Sequence, residues 1–227
     1  INDTTYTGLY ASGTRTVEGR LLQIGNTRTA SGANGGGDGV FLTGGARLRL
    51  DADMTGTGAA RRGVASLIVG NARTGFLVDG QSAAGASSLM ARGTTVASNG
   101  GPGLFLQNTA QTEGFSQGRF EANTAVGIAC APGSVVMAIN DTTITDTRMG
   151  QLRVSTSTGQ LELSELGDGL MLSGQAMLLA DSEISRNSRY GLAVAGNVQG
   201  AVMRNSGSNN RFGVAIGSPN FNADMQT

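Results

Sequence analysis

Apolar residues in this chain come in short bursts, and many bursts open on a glycine: Gly39-Val-Phe-Leu42, Gly75-Phe-Leu-Val78, Gly103-Leu-Phe-Leu106, Gly169-Leu-Met-Leu172 and Gly191-Leu-Ala-Val194. Further bursts include Leu48-Arg-Leu50, Ser66-Leu-Ile-Val69, Val135-Val-Met-Ala-Ile139, Leu152-Arg-Val154, Leu161-Glu-Leu163 and Met177-Leu-Leu179. Aliphatic side chains two residues apart predict short strands with one face turned inward. The clusters of Gly, Asn, Ser and Thr between them read as turns. No segment carries the 3.6-residue period of an amphipathic helix.

The bursts belong to a repeat, apolar-x-x-Asn-x-x-x-Gly. Its copies are Ile68…Asn71…Gly75, Val96…Asn99…Gly103, Phe120…Asn123…Gly127 and Ile184…Asn187…Gly191. A looser copy puts Ser206 in the leading slot, then Asn209 and Gly213. Counting Gly150 and Gly169 as intermediate openings, the repeat returns about every 22 residues, which suits one turn of a wide solenoid. Successive turns would stack as parallel strands about 4.8 Å apart. The apolar pair after Gly150 moves to Leu152 and Val154, and Glu165 takes the slot before Gly169, so a slip or bulge is expected there. Asn at the bend tolerates a left-handed backbone and bonds locally. Stacked turn over turn, its amide can also form a ladder. The chain reads as a single domain over residues 1–227. Residues 1–63 form irregular N-terminal turns, with loops at 34–39 and 51–63; residues 64–217 form regular turns, and 218–227 a tail.

With this spacing the chain resembles the right-handed parallel β-helix proteins with pectate-lyase-like repeats. The resemblance is carried by residues 64–217 and implies an all-β, right-handed parallel β-helix of roughly nine to ten turns. That group includes polysaccharide lyases, glycoside hydrolases, epimerases, phage tailspikes, adhesins and autotransporter passengers, so the fold alone does not give the function.

Charge narrows the classes. Sixteen basic residues, all Arg, balance 16 acidic ones, and His is absent. A net charge of zero gives no electrostatic case for nucleic acid or an anionic membrane. No apolar run approaches the ~20 residues of a membrane span. The single Cys130 falls in an inward slot, where it reads as a small core hydrophobe. Ile1 is an unusual start for an intact gene product, so the sequence is read as a piece of something longer.

The absence of His removes the residue on which polygalacturonase-type and alginate-epimerase-like enzymes of the resembling group rely. A pectate-lyase-like elimination would need carboxylates for Ca²⁺ and an Arg or Lys base. The catalytic arginine-proline motif of the known lyases is missing, and Arg61-Arg62 has no acidic neighbours in sequence. Acidic residues gather in the C-terminal half: Asp141, Asp146, Glu162, Glu165, Asp168, Asp181 and Glu183. Asp181 and Glu183 are expected on one outward strand face, with Asp141 two turns earlier, roughly 10 Å away. With Arg186, Arg189 and Tyr190 they are the candidate ligand-binding residues, for a polysaccharide or at most a Ca²⁺ ion; no catalytic or metal residue and no cofactor is assigned. The glycine–aspartate run ending at Asp38-Gly39 occurs once and lacks the repetition that shares calcium between turns.

The expectation is an extracellular or cell-surface bacterial segment of a larger protein. Its role would be structural, adhesive or ligand-presenting, without catalysis, and its ends capped by the rest of that chain or by a partner. The alternative is a Ca-dependent lyase or other enzyme on acidic polysaccharide. A tailspike-like trimer is a third class.

Overall fold

The computed structural model describes residues 1–29, 36–52, 54–55, 62–63, 65–80, 85–155, 161–195, 198, 200–217 and 221–226. These contain strands and turns and no helix. The strands fall on three faces. The first is an eight-stranded sheet: β1 (Leu9–Ser12), β4 (Val40–Thr43), β9 (Phe76–Asp79), β12 (Leu104–Gln107), β15 (Val126–Cys130), β20 (Asp168–Leu172), β23 (Tyr190–Ala195) and β25 (Phe212–Gly217). The second holds β2 (Thr16–Gly19), β5 (Arg47–Leu50), β10 (Ser88–Arg92), β13 (Gln111–Ser116), β16 (Val135–Asn140) and β21 (Gln175–Ala180). The third holds β3 (Gln23–Gly25), β8 (Ser66–Val69), β11 (Thr94–Ala97), β14 (Arg119–Glu121), β17 (Thr143–Thr145) and β22 (Glu183–Ser185). The long β24 (Gly200–Ser208) joins the last two, pairing with both β21 and β22. Every pairing within these faces is parallel, as a β-solenoid requires.

The sequence motif has one geometric cause. At Gly39, Gly75, Gly103 and Gly169 the leading apolar residue, the Asn and the glycine carbonyl of the following turn all press on the opening glycine; at Gly127 Thr147 stands in for the Asn, and at Gly191 the apolar contact is absent among the nearest atoms. A Cβ on Gly75 would lie 2.5 Å from Val96 Cγ1, 2.6 Å from the Gly103 carbonyl and 3.0 Å from Asn99 Nδ2. Only hydrogen fits there. The apolar pair after each glycine points inward: Val40/Leu42, Phe76/Val78, Leu104/Leu106, Ile128/Cys130, Leu170/Leu172 and Leu192/Val194 are buried in one continuous core. Each such large side chain contributes about 1.5–3 kcal/mol by leaving water. Cys130 is part of this core, and burial pushes its thiol up to about 12, which leaves it unreactive.

Gly150 does not open a turn. The sheet runs from β15 directly to β20, and β18 (Gly150–Ser155) and β19 (Leu161–Leu166) leave the stack as an antiparallel pair. Its apolar alternation is that of any strand, so the pattern alone could not show that its partner is its own neighbour and not the turn below. The expected slip is therefore this excursion; register shifts occur between Leu89 and Met90 and between Val202 and Asn205. The hairpin lies on the outer side of the first face. Leu152 and Leu166 pack with Ala129, Met171 and Phe105, which is why β15 and β20 are buried on both sides.

Of the expected loops, residues 34–35, 53 and 56–61 lie outside the described residues, while β6 (Met54–Thr55) and β7 (Arg62–Gly63) form a short antiparallel pair. Residues 221–226, expected as part of a tail, form β26 (Phe221–Gln226) against β24.

Candidate functional site

Two corners of the stack are built from one device. Between the third face and the next turn, a residue in the left-handed backbone region precedes a buried polar residue. The left-handed column is Asn26, Gly70, Ser98, Ala122, Asp146, Arg186 and Asn209. The buried column beside it is Thr27, Asn71, Asn99, Asn123, Thr147 and Asn187, with Asn210 at the end. Asn71 Nδ2 donates to Asn99 Oδ1 and Asn99 Nδ2 to Asn123 Oδ1, both at 2.8 Å. Asn187 Nδ2 donates to Asn210 Oδ1 at 2.9 Å. The ladder expected from the sequence is present, but its last rung is Asn210; Asn209 is the left-handed residue before it. Thr147 interrupts the ladder, its N–H donating to Asn187 Oδ1.

The corner between the second and third faces repeats the arrangement. Gly93, Gln117, Asp141 and Asp181 are left-handed, and Thr94, Gly118, Thr142 and Ser182 follow them inward. The N–H of Gly118 donates to Thr142 Oγ1, that of Thr142 to Ser182 Oγ, and that of Ser182 to Asn205 Oδ1.

These corners locate the six residues singled out in the sequence. Asp141 and Asp181 occupy the same corner one level apart, because Asn140 pairs with Ala180 and Thr143 with Glu183. The expected two-turn separation counted the hairpin as a turn. Asp181 is a corner residue, not part of an outward strand face shared with Glu183. Glu183 opens β22 and accepts a hydrogen bond from Ser185 Oγ at 2.8 Å. Arg186 lies at the other corner and forms a two-pronged pair with Asp146, both bonds at 2.9 Å. That pair holds Asp146 below its ordinary range. It adds stability above that range, lost as pH falls through the lowered value; half-exposed, it is worth under ~1 kcal/mol. Arg189 and Tyr190 stand at the start of the first face, bonded to Asp168. The six thus occupy three stations on the perimeter. The side chain of Glu162 and residue Arg61 lie outside the described residues.

The Asp168 station has a twin that sequence reading missed. Asp168 is fully buried, accepts from Arg189 Nε at 2.7 Å and also takes the Tyr190 N–H at 3.1 Å. Asp38 is likewise buried, takes the Thr74 N–H at 3.2 Å and faces Arg73 Nε at 3.6 Å. In both, an Asp-Gly opens one turn and an Arg-x-Gly opens the next, a signal legible in Asp38-Gly39 and Arg73-Thr-Gly75. The two differ electrically. The close bond to Asp168 raises Arg189 above its ordinary value. Burial dominates at Asp38 and raises its carboxyl, against the Arg73 charge and the Thr74 N–H. A carboxyl raised in the fold holds its proton more tightly folded than unfolded, so stability falls as pH rises through its folded value. Asp38→Asn is therefore expected to leave stability at pH 7 unchanged or higher. Asp168→Asn should lower it by about 1–2 kcal/mol. Urea unfolding at pH 7 checks both signs.

Above Arg189 the aromatic rings continue the stack. Tyr190 and Phe212 lie 5.2 Å apart, with the Arg189 and Arg211 guanidinium groups 5.1 and 5.5 Å from the respective ring centres.

A concave feature among the described residues lies elsewhere, between the β18–β19 hairpin and the outer side of β9 and β12. It is a groove of about 420 Å³. Its floor is Leu77 and Phe105, paired in register. Gln107 at its edge is fixed by a 2.9 Å bond to Asp79. Arg73 borders it from the stack and Arg153 from the hairpin. Among the described residues, no three acidic or thiol side chains gather closely enough to hold a metal ion, and no helix is long and apolar enough to cross a membrane. Compared with family models, curated proteins and solved structures, the chain matches none.

Proposed function

We propose that this chain is a β-helix segment of a larger secreted or cell-surface bacterial protein, with a structural, adhesive or ligand-presenting role and no catalysis. The observation that carries this reading is where the polar residues are used. Asn71, Asn99, Asn123, Asn187, Asp168 with Arg189, and Asp146 with Arg186 are bonded from one level of the stack to the next. Their chemistry is committed to holding turns together. We read the winding as right-handed and pectate-lyase-like, since parallel strands are nearly always joined by right-handed crossovers. Strand pairing supports seven turns that carry all three faces and an eighth begun by β25 and β26. The bridges Asn2–Gly25 and Thr5–Arg28 add part of another at the N-terminal side.

The last level supports a covered end. Val214 and Ile216 are 40% and 45% exposed, whereas Leu192 and Val194 directly beneath them are 0% and 3% exposed. Further chain, or a partner, fits that surface. The alternative, a Ca²⁺-dependent enzyme on acidic polysaccharide, is tested by following unsaturated uronate absorbance on mixed polyuronates with and without chelator. The expected result is no turnover and an unfolding temperature unmoved by calcium. Chelator-sensitive product formation would overturn the scaffold reading.

A further inference from the structure

The groove beside the hairpin combines three properties. Its floor is apolar: Leu77 is 7% exposed and Phe105 is half-buried, although both side chains point to the outer side of the sheet. Across it stands Leu163, 59% exposed, directly opposite Arg153 in the hairpin ladder. An exposed leucine beside a half-buried aromatic ring leaves apolar surface on two walls, the arrangement that small-molecule sites use.

The second property is charge. The groove is bordered by two guanidinium groups and lined by no carboxylate. Arg73 is partly offset by Asp38, 3.6 Å from its Nε. Arg153 is exposed and has no carboxylate partner among the described residues. Glu165, opposite Gln151 in the ladder, is outside the lining. With Asp38 beside Arg73 and Asp79 beside Gln107, the charge offered to a ligand here is chiefly that of Arg153, set at the edge of an apolar floor, where a charged pair is worth more than in open water.

The third property is the scarcity of hydrogen-bonding side chains. Apart from the arginines, the polar side chains lining the groove are Gln107, Gln151 and the buried Thr74. A sugar ring presents a hydroxyl at nearly every carbon, and each one buried without a partner costs affinity. A ligand with one charged end and an apolar body loses nothing in this way.

We propose that this groove binds an amphipathic carboxylate. Its aromatic or aliphatic body lies on Leu77, Phe105 and Leu163, and its carboxylate takes a two-pronged bond from Arg153, with Arg73 adding charge at the other border. Guanidinium groups suit carboxylates because their paired N–H donors match the two oxygens. The volume lies within the ordinary range for small-molecule sites, about 300–1,000 Å³. This deepens the ligand-presenting reading and is separable from it, since an empty groove leaves the turnover and calcium results untouched.

The test is calorimetric titration of the full chain with 4-phenylbutyrate, its neutral analogue 4-phenylbutanamide and trigalacturonate. Saturable one-to-one binding of the phenylbutyrate is expected, with the amide weaker by about tenfold, as loss of a charge-assisted bond implies. Arg153→Gln should weaken phenylbutyrate by a similar factor without shifting the unfolding temperature, and Leu163→Ser should weaken both phenyl compounds alike. No saturable binding of phenylbutyrate, equal affinity for the amide, indifference to Arg153→Gln, or tighter binding of trigalacturonate would each overturn the proposal.

Discussion

Gly103→Ala is expected to destabilise the fold by about 3 kcal/mol or more. The added methyl would lie 2.6 Å from the Gly127 carbonyl oxygen, 2.7 Å from Phe120 Cδ1 and 2.8 Å from Asn123 Nδ2. None of the three can yield freely. The carbonyl lies in the parallel ladder of β12 on β15, where Leu104 stands opposite Ile128. The ring of Phe120 is buried and packed 4.8 Å from that of Phe115. The amide of Asn123 accepts from Asn99 and donates to the Val96 carbonyl at 2.8 Å. Relief requires levels four and five to separate locally, and stacked repeats draw most of their stability from such contacts between neighbours. Gly114→Ala is the control: it lies in β13 on the same level and a Cβ there meets nothing within 4 Å. It should change stability by less than ~0.5 kcal/mol. Chemical denaturation of the two variants, followed by far-ultraviolet circular dichroism, makes the comparison. Similar midpoints would mean that the glycines are not fixed by contact from the turn above.

That contact explains how much of the architecture was legible. A residue type imposed by the neighbouring level recurs at the level's period, so Gly75, Gly103, Gly127 and Gly191 gave the register directly. The inward apolar pairs followed for the same reason. The second and third faces were harder to read. Strands such as Thr94–Ala97, Arg119–Glu121 and Thr143–Thr145 carry one inward hydrophobe each, at Val96, Phe120 and Ile144. One apolar residue among polar ones has no period. The hairpin was misread because alternation states that a strand has two faces, not which strand lies beside it.

The candidate site was legible only in part, and for a physical reason. Sequence proximity grouped Asp141, Asp181, Glu183, Arg186, Arg189 and Tyr190, but winding sends each segment to a different station on the perimeter. Arg186 meets Asp146 and Arg189 meets Asp168 because in each pair the partners stand one level apart, 40 and 21 residues away in sequence. The groove joins Leu77 and Phe105 of the stack to Arg153 and Leu163 of an excursion. No spacing rule connects them, since the excursion's fold-back is set by packing of Leu152 and Leu166 on Ala129 and Met171. What the sequence does carry is the Asp-Gly followed one turn later by Arg-x-Gly, which names the buried Asp–Arg stations without any structure.

The asparagine ladder should respond to substitution by position, not by residue type. Asn99→Ala is expected to cost about 3–4 kcal/mol, because it strips partners from several buried groups at once, each worth about 1–3 kcal/mol when left unsatisfied. The Asn71 N–H and Nδ2 both bond to Asn99 Oδ1, at 3.1 and 2.8 Å, and Asn99 Nδ2 donates to the Ile68 carbonyl at 3.3 Å and to Asn123 Oδ1 at 2.8 Å. Asn99 is 1% exposed, so water cannot replace these bonds without opening the corner. Asn210 makes equivalent bonds to Asn187 and to the Ile184 carbonyl, but it is half-buried at the last level. Water reaches it, and Asn210→Ala should cost only about 1–2 kcal/mol. Asn209 is exposed and serves only the left-handed bend, a role Ala122 already fills three levels below. Asn209→Ala should therefore cost no more than ~1 kcal/mol. Urea midpoints for the three variants give the order Asn99, Asn210, Asn209 from most to least damaging. If Asn209→Ala proved worse than Asn210→Ala, the last rung would sit one residue earlier and the register of β25 on β23 would have to move with it.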